Sequence, residues 1–468
     1  MRVLVVGGGI GGLSAAHRLR RMRPDAEVVV LEGSDRVGGK LRRVEVAGVP
    51  IDVGAESMLA RRPEGLELAA ALGFGGELIH PSPRGALLRN RGENRPMPAG
   101  TLMGMPTDVP ALRTSGLLSE ATLDRIEAES HQEPLELRDD ISVGELVSAR
   151  FGTEVTERLV DPLLGGVYAG QADNISLRAA VPTLAAQWDR GPQTLSAAVA
   201  GASAQSRTAA ASGQVFASVP GGLARLAEAA ATTLDVRLDT PAVEITRDGE
   251  GFSVVTGSRA DPRRWTADAV LIAAPAPKAS VLLATLAPVA AAELAAIDYA
   301  SMAIVTLAFA GTPEQLGLPD ASGILIPHVE GLASKAMTFS SLKWPGVGAD
   351  EAVTLMRASL GRHGDERSLQ RADSELTAAV RTELAGMFGV DPDGHVPIDS
   401  HVQRWGGGLP QYAVGHRARV ARIRDAVAAV PGLAVCGAAF DGLGLPAVIG
   451  SAHTAVDQLL AGLGRREG

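Results

Sequence analysis

The sequence predicts an α/β fold in which a Rossmann-like domain is combined with a mixed β-sheet domain and an inserted helical domain. Residues 1–80 alternate between short apolar β-branched runs and a segment with helical spacing, which is the βαβ pattern. From about residue 112 to residue 200 the spacing of apolar residues is helical. Apolar runs in "ADAVLIAAPAP" and "LAVCGAAF", far from the start of the chain, are typical of further buried strands. We therefore expect the Rossmann-like domain to be discontinuous.

Two or three domains are expected because 468 residues exceed what one hydrophobic core usually organises, and the order of the elements favours three. The expected boundaries are 1–80, 214–275 and 425–468 for the Rossmann-like domain, 81–111 and 276–424 for the β-sheet domain, and 112–213 for the helical domain.

Local patterns give more detailed expectations. Ser142 and Glu145 form a capping-box pattern, which predicts a helix start. The small residues of 197–213 predict a mobile connection. The turn signal at Asp248 and Gly249 predicts a hairpin, and further helices are expected near 367–388 and from Gly450 onward.

Composition narrows the class of protein. The hydrophobic share of 46% and the charged share of 21% are typical of a soluble globular protein, and the net charge of -9 argues against a nucleic-acid partner. The single cysteine, Cys436, excludes an internal disulfide and fits a small apolar residue at a strand end. The sequence has no signal-peptide pattern and no uninterrupted apolar run that could span a membrane. We expect a cytoplasmic protein, or at most one bound peripherally to a membrane.

The glycine-rich turn at the start of the chain carries the strongest motif. Gly7, Gly9 and Gly12 form G-x-G-x-x-G between a strand and a helix, and Glu32 closes the next strand. In such a turn the glycines allow close backbone approach to a pyrophosphate, and the acidic residue accepts hydrogen bonds from a ribose diol. The sequence therefore predicts a dinucleotide site. It is formed by Gly7, Gly8, Gly9, Ile10, Gly11, Gly12, Glu32 and Gly33.

A second glycine turn favours FAD over NAD. Arg36, Gly39 and Lys40 place cations beside a turn soon after Glu32, where an NAD-binding fold usually continues into its next βα unit. A further small-residue turn, from Gly54 through Ala55 and Glu56 to Ser57, could bring backbone to the flavin ring. An extended FAD needs both features, so the predicted cofactor is FAD.

Longer motifs carry a family resemblance. The opening "GGGIGG", followed by "LE", "RVGGK" and "GAES", resembles the flavin amine oxidase superfamily. "DPLLGGVYAG" from Asp161, "RWGGGLPQYAVGH" from Arg404 and "GLGLPAVIGSAHTA" from Gly442 resemble the protoporphyrinogen/coproporphyrinogen III oxidase family, and they occur in that family's order over nearly the whole chain. The resemblance implies an amine-oxidase type of FAD-binding domain. It also implies cofactor contacts from Val243, Trp405, Gly437, Leu443, Gly444 and Leu445.

The resemblance implies an oxygen-dependent oxidase of haem biosynthesis. The expected reaction converts coproporphyrinogen III to coproporphyrin III with hydrogen peroxide as product. Protoporphyrinogen IX is the alternative substrate. A flavin-containing porphyrin carrier, or another flavin amine oxidase, is the alternative function. No catalytic acid or base is assigned, because the flavin itself accepts the hydride. His416 and His453 are interpreted as structural, and no metal site is expected.

The propionate groups of such a substrate need cations, for which arginine is best suited. Arg84 and Arg95, in "SPRGALLRNRGENRP", are the predicted substrate-binding arginines, and Gln411 and Tyr412 could face the same pocket. Only four of the 44 lysine and arginine residues are lysines, a bias that favours a GC-rich genome and an actinobacterial source. For members of the family from such a source, the resemblance implies coproporphyrinogen III, which has four propionates, as the substrate. Peripheral membrane contact and transient contact with the next haem-pathway enzyme are further expected partnerships.

Overall fold

The computed structural model describes residues 1–210, 214–350 and 352–464. The strands, in chain order, are β1 (Arg2–Val6), β2 (Glu27–Leu31), β3 (Arg43–Val46), β4 (Val49–Asp52), β5 (Met58–Leu59), β6 (Leu87–Asn90), β7 (Glu93–Pro96), β8 (Thr101–Leu102), β9 (Met105–Pro106), β10 (Phe216–Ala217), β11 (Asp235–Arg237), β12 (Ala242–Asp248), β13 (Gly251–Gly257), β14 (Pro262–Ala267), β15 (Ala269–Ile272), β16 (Tyr299–Ala310), β17 (Gly323–Leu325), β18 (Ser334–Thr338), β19 (Val353–Leu360), β20 (Asp399–Pro410) and β21 (Leu433–Val435).

The α-helices are α1 (Ile10–Met22), α2 (Pro63–Ala71), α3 (Val109–Ser115), α4 (Glu120–Glu129), α5 (Val143–Arg150), α6 (Thr153–Val155), α7 (Asp161–Tyr168), α8 (Leu177–Ala180), α9 (Pro182–Trp188), α10 (Leu195–Ala210), α11 (Ala224–Thr232), α12 (Ala276–Leu283), α13 (Pro288–Ala295), α14 (Ser340–Lys343), α15 (Asp373–Phe388), α16 (His416–Ala428) and α17 (Leu445–Gly464). None of the described helices has the combination of length and hydropathy that a membrane-spanning helix requires.

A parallel sheet of five strands forms the Rossmann-like part, in the order β11, β2, β1, β15 and β21. Both faces are covered, which is why its strands are continuous apolar runs. Val3 and Val5 pack toward α1 and α17, whereas Leu4 and Val6 pack toward α12, α13 and α16. The strands come from the start, the middle and the end of the chain. The α/β fold class expected from the sequence is confirmed, and the domain boundaries stay a prediction.

A mixed sheet of seven strands forms the second layer, in the order β20, β16, β19, β18, β17, β6 and β7. Only the β17–β6 pair is parallel within it. Successive residues of a strand alternate between the faces. On one face Val305, Met337 and Ala358 form a core with α15. The opposite face carries Arg357 and Trp405, both of which contact the segment that follows β4.

The helices between Val109 and the end of α10 share one core with each other. Ser142 accepts a hydrogen bond from Glu145 N at 3.0 Å, so the predicted helix start is confirmed. The buried Glu129 pairs with Arg150 and also accepts from Leu195 N at 2.7 Å, at the first turn of α10.

The prediction of a mobile connection over 197–213 was wrong as far as residue 210, because α10 continues to that point. Alanine is the best helix former, and Ala198, Val199 and Ala202 anchor the helix in the core. Residues 211–213 lie outside the described part of the chain. The last helix also begins earlier than expected, at Leu445 rather than Gly450.

Candidate cofactor and substrate site

The turn between β1 and α1 can be built only from glycine at its two ends. Gly7 has φ +111°, and a Cβ on Gly12 would lie 1.9 Å from Gly7 O. The first residue of α1 is Ile10, and its N-cap, Gly9, has no side chain to accept from the first turn. The N–H groups at this helix end are therefore available to an anionic ligand.

Glu32 holds the same turn from the end of β2. One carboxylate oxygen accepts from Gly8 N at 2.6 Å, and the other accepts from Ser34 N at 2.8 Å. A carboxylate fixed in this way keeps lone pairs for a ribose diol while it fixes the position of the glycine turn.

The two predicted glycine turns contact each other. Gly38 N donates to Gly8 O at 2.8 Å, and Gly9 pairs with Gly38 as an isolated bridge. Arg36 does not line the cavity; its guanidinium donates to Gly39 O at 2.8 Å and supports the second turn from behind. Lys40 does line the cavity, and burial lowers the pKa of its ammonium.

The two turns form one wall of a cavity of about 410 Å³ at the carboxyl ends of β1, β2 and β15. Ligands of open α/β sheets bind at this edge. Twelve of the residues named from the sequence line it: Gly7, Gly9, Ile10, Gly11, Glu32, Gly33, Gly39, Lys40, Ala55, Gly437, Leu443 and Leu445. Nine do not: Gly8, Gly12, Arg36, Gly54, Glu56, Ser57, Val243, Trp405 and Gly444.

Several lining residues were missed by sequence reasoning. Ala273, Ala274 and Pro275 follow β15, and Lys278 and Tyr299 lie close to them. For Ala273, Ala274 and Pro275 the available signal was the buried strand predicted in "ADAVLIAAPAP", because neighbouring parallel strands deliver their next residues to the same edge. Val243, in contrast, has an exposed side chain.

The wall near Ala55 is held by a buried charge cluster. Glu56 pairs with Lys343 at 2.6 Å and with Arg357 at 2.8 Å. Burial alone would raise the pKa of Glu56, but these two cations outweigh it and lower the pKa to about 2. Glu56 therefore positions the wall from outside the cavity.

Two further contacts hold the same segment. Trp405 donates from Nε1 to Val53 O at 2.9 Å, and Arg357 donates to the backbone oxygen of Asp52. The Asp52 carboxylate accepts from Leu223 N at 2.7 Å, and burial raises its pKa to about 7. Trp405 and Asp52 thus hold the backbone just before Ala55, and Ala55 lines the cavity.

The four residues predicted for the substrate are not gathered at one place. Arg84 pairs with Asp320 and donates to Leu342 O, while Arg95 pairs with Glu93 at 2.6 Å. Both arginines therefore have acidic partners within the chain.

Neither of the two polar residues of "LPQY" lines the cofactor cavity. Gln411 donates to Tyr168 O at 2.7 Å, and the Tyr412 hydroxyl donates to Ala438 O at 2.6 Å. Tyr412 also stacks on His416 at 4.0 Å between ring centroids. Burial lowers the pKa of His416 to about 4 and raises that of Cys436 to about 12, so both groups are neutral near pH 7. The roles of Gln411 and Tyr412 toward a substrate stay predictions.

Comparison with known proteins gives full-length matches. A family model described as flavin containing amine oxidoreductase matches residues 10–460. The coproporphyrinogen III oxidase of Mycobacterium tuberculosis (strain H37Rv) is 38% identical over 461 residues, which cover 98% of this chain and 97% of the relative. The coproporphyrinogen III oxidase of Bacillus subtilis (strain 168) is 30% identical, with coverage of 98% and 97%.

Solved structures agree with these matches. A proposed protoporphyrinogen oxidase from Exiguobacterium sp. 255-15 is similar with a TM-score of 0.86 and 30% identity, over 99% of both chains. Cyclohexylamine oxidase from Brevibacterium oxydans IH-35A is similar with a TM-score of 0.67 over 98% of this chain and 99% of that one. At 19% identity the second likeness shows the fold alone.

Proposed function

Because the chain belongs to the flavin containing amine oxidoreductases, we propose that it oxidises coproporphyrinogen III to coproporphyrin III, with oxygen as acceptor and hydrogen peroxide as product. The observation that carries this proposal is the full-length similarity, at 38% identity, to a coproporphyrinogen III oxidase. The reaction would place the protein in haem biosynthesis. The expected family and the expected FAD cofactor are confirmed.

The residues of the cavity fit FAD. A Cβ added at Gly9 would have no neighbour nearer than 4.0 Å, so there is room for a pyrophosphate between the two glycine turns. The N-terminus of α1 would hold the phosphates, Glu32 the adenosine ribose, and Ala55, Tyr299 and Leu443 the flavin end. Bound FAD supplies the two-electron acceptor, and the chain supplies binding, orientation and exclusion of water.

We place the porphyrinogen between the seven-stranded sheet and α7. Leu443 lines the cavity and also packs against the helical core, and Leu325 of β17 packs against that same core. A Cβ on Gly166 of α7 would lie 4.0 Å from Leu325. Gly166 and Val167 are exposed, so this side of α7 is open to an incoming ligand. Protoporphyrinogen IX would occupy the same space.

The test is an oxidation assay with anaerobically prepared coproporphyrinogen III and protoporphyrinogen IX. Oxygen is added to each with the purified holoenzyme, and porphyrin fluorescence and hydrogen peroxide are recorded against an enzyme-free control. We expect the greater kcat/KM for coproporphyrinogen III. A greater kcat/KM for protoporphyrinogen IX would name that substrate instead. Tetrapyrrole binding without peroxide would favour the carrier, and no effect on either compound would contradict the oxidase proposal.

Location and partners belong to the same proposal. We place the protein in the cytoplasm, with any membrane contact peripheral and through the helical domain, and with product passed to the next haem-pathway enzyme. Co-sedimentation with vesicles of anionic phospholipid tests the peripheral membrane contact. Retention of the protein in the supernatant would contradict it.

A further inference from the structure

Lys335 is a buried cation for which the described part of the chain provides no hydrogen-bond partner and no salt bridge. Its side chain is 4% exposed, and within the described part of the chain its ammonium nitrogen has no hydrogen-bond partner. It lies at an irregularity at the start of β18, where the pairing with β19 shifts between Ser334 and Ala336. An isolated buried ammonium is costly unless a counter-charge compensates it. Lys335 therefore lacks the negatively charged group that would compensate its buried ammonium.

Arg362, just after β19, is the neighbouring cation. Ile326 connects the two residues, because its N–H donates to Lys335 O at 2.9 Å and its carbonyl oxygen accepts from Arg362 Nη2 at 3.2 Å. Burial, and secondarily Arg362, lower the pKa of Lys335 to about 7. Burial also lowers the pKa of Arg362. Two cations thus share one partly buried place.

Two of the three acidic groups near this pair accept hydrogen bonds from other residues. Asp161, Asp365 and Glu383 attract Arg362 at longer range, but none forms a salt bridge with it among the described residues. Asp161 accepts from Ala172 N at 2.9 Å. Glu383 accepts from Ala333 N at 2.6 Å and also from Ser334 N. His328, on the loop before β18, adds a titratable group near Asp161.

The pair adjoins, along the chain, the sheet face that carries Arg357: Lys335 precedes Ala336, and Arg362 follows β19. Arg357 of β19 contacts Asp52 and Glu56, and Ser359 points to the same face two residues later. Strand β19 ends three residues after Arg357, and Arg362 follows Gly361, whose φ is +92°. Leu325, Ala336 and Ser359 are register partners, so one row of side chains crosses this face beside the pair.

Helix α7 closes the same place from the other side. His363 N donates to Ala169 O at 2.7 Å, immediately after the end of α7. Arg362 is therefore held between the sheet and the helix that we assigned to the substrate space. A macrocycle whose reacting carbon lies over the flavin would extend its carboxylates along this row.

We propose that Lys335 and Arg362 bind a propionate carboxylate of the porphyrinogen. The inference rests on the proposed function and names a binding contact that Arg84 and Arg95 cannot make without giving up their acidic partners. A carboxylate would compensate both cations, with Arg362 offering its guanidinium fork and Lys335 a point charge.

The test measures binding of coproporphyrin III and of its tetramethyl ester to the FAD-loaded enzyme by fluorescence. The variants are Lys335→Met and Arg362→Gln, with Arg367→Gln, an exposed arginine a few residues further on, as the matched control. We expect each variant to weaken binding of the acid about tenfold or more, since a hydrogen bond to a charged group is lost. Binding of the ester should change less than about twofold, because it carries no carboxylate.

The acid-to-ester contrast distinguishes a carboxylate contact from a structural effect. Equal losses for acid and ester, or no loss for either, would overturn the proposal. If Arg362→Gln does not fold, the acid-to-ester ratio of Lys335→Met decides, and an unchanged ratio in that variant would count against the proposal. Failure of the proposed function has a different signature, because wild-type enzyme would then produce no peroxide from coproporphyrinogen III whatever the variants bind.

Discussion

The cofactor cavity and the Lys335–Arg362 pair both suit an anionic ligand, but different parts of the chain form them. Around the cavity the backbone makes the site, through two glycine turns in contact and one helix N-terminus. At the pair two side chains make the site, and they come together only through strand register and the carbonyl of Ile326. A backbone site leaves a local motif in the sequence. A side-chain site assembled by register leaves none.

The largest effect that this comparison predicts is loss of flavin on substitution of Gly12. In Gly12→Ala the new Cβ would meet a backbone oxygen, Gly7 O, at 1.9 Å, so the turn must shift. We expect the purified variant to lack the visible flavin absorbance. Gly76→Ala, where no atom lies within 4 Å of the new Cβ, is the control and should retain it. A Gly12→Ala protein with a full complement of flavin would show that the backbone does not make this site.

The same contrast explains what could be predicted from the sequence. The spacing of Gly7, Gly9, Gly12 and Glu32 predicted a nucleotide-binding turn, and these residues lie together because the motif is local. The Ser142 helix start was predictable for the same reason. Helix α10 was misread because small residues predict a connection unless neighbouring helices bury them.

The missed residues depend on contacts between distant segments. Tyr299 reaches the cavity because β16 begins beside it, and the buried Lys335 lies where the pairing of β18 with β19 is irregular. Neither fact can be read from the surrounding residues. The sequence does show that Arg84 and Arg95 are cations near each other, but not that each has an acidic partner.

A second prediction concerns the stability cost of Lys335. The pKa of its ammonium is about 7 in the folded chain and near its ordinary value of about 10.4 when unfolded. Below pH 7 both states are protonated, so the burial cost is present in full. Above pH 7 the unfolded state binds the extra proton, so this contribution to stability rises with pH until about pH 10. Lys335→Met should therefore stabilise the protein by up to a few kcal/mol near pH 6, and the gain should vanish toward pH 10.

Urea unfolding of ligand-free enzyme at the two pH values measures this difference. Arg367→Met, which alters an exposed arginine outside the cofactor cavity, is the control. A Lys335→Met variant that is less stable at the lower pH would mean that the ammonium has a stabilising partner. That result would remove the argument that the pair awaits a carboxylate.

A third, smaller effect is expected at Glu32. The Glu32→Gln substitution replaces a charged acceptor by a neutral amide, and only one oxygen is left for Gly8 N, Ser34 N and a ribose diol. We expect the Kd of the apoprotein for FAD to rise about tenfold. Titration with FAD measures it, and Glu27→Gln, at the other end of β2, is the control. An unchanged Kd would mean that Glu32 only supports the turn.

The smallest effect is expected at Arg84, the arginine that the sequence favoured. Its salt bridge with Asp320 is solvent-exposed, with the Asp320 side chain 82% accessible, so Arg84→Gln should cost less than about 1 kcal/mol of stability. The KM for coproporphyrinogen III should stay within about twofold of wild type, because the guanidinium is already shared between Asp320 and Leu342 O. Urea unfolding and initial rates of porphyrin formation check both values, with Arg362→Gln assayed beside it. If Arg84→Gln raised KM tenfold at unchanged stability while Arg362→Gln did not, the substrate carboxylate would belong at Arg84. A local sequence pattern would then have identified the substrate contact as well as the cofactor site.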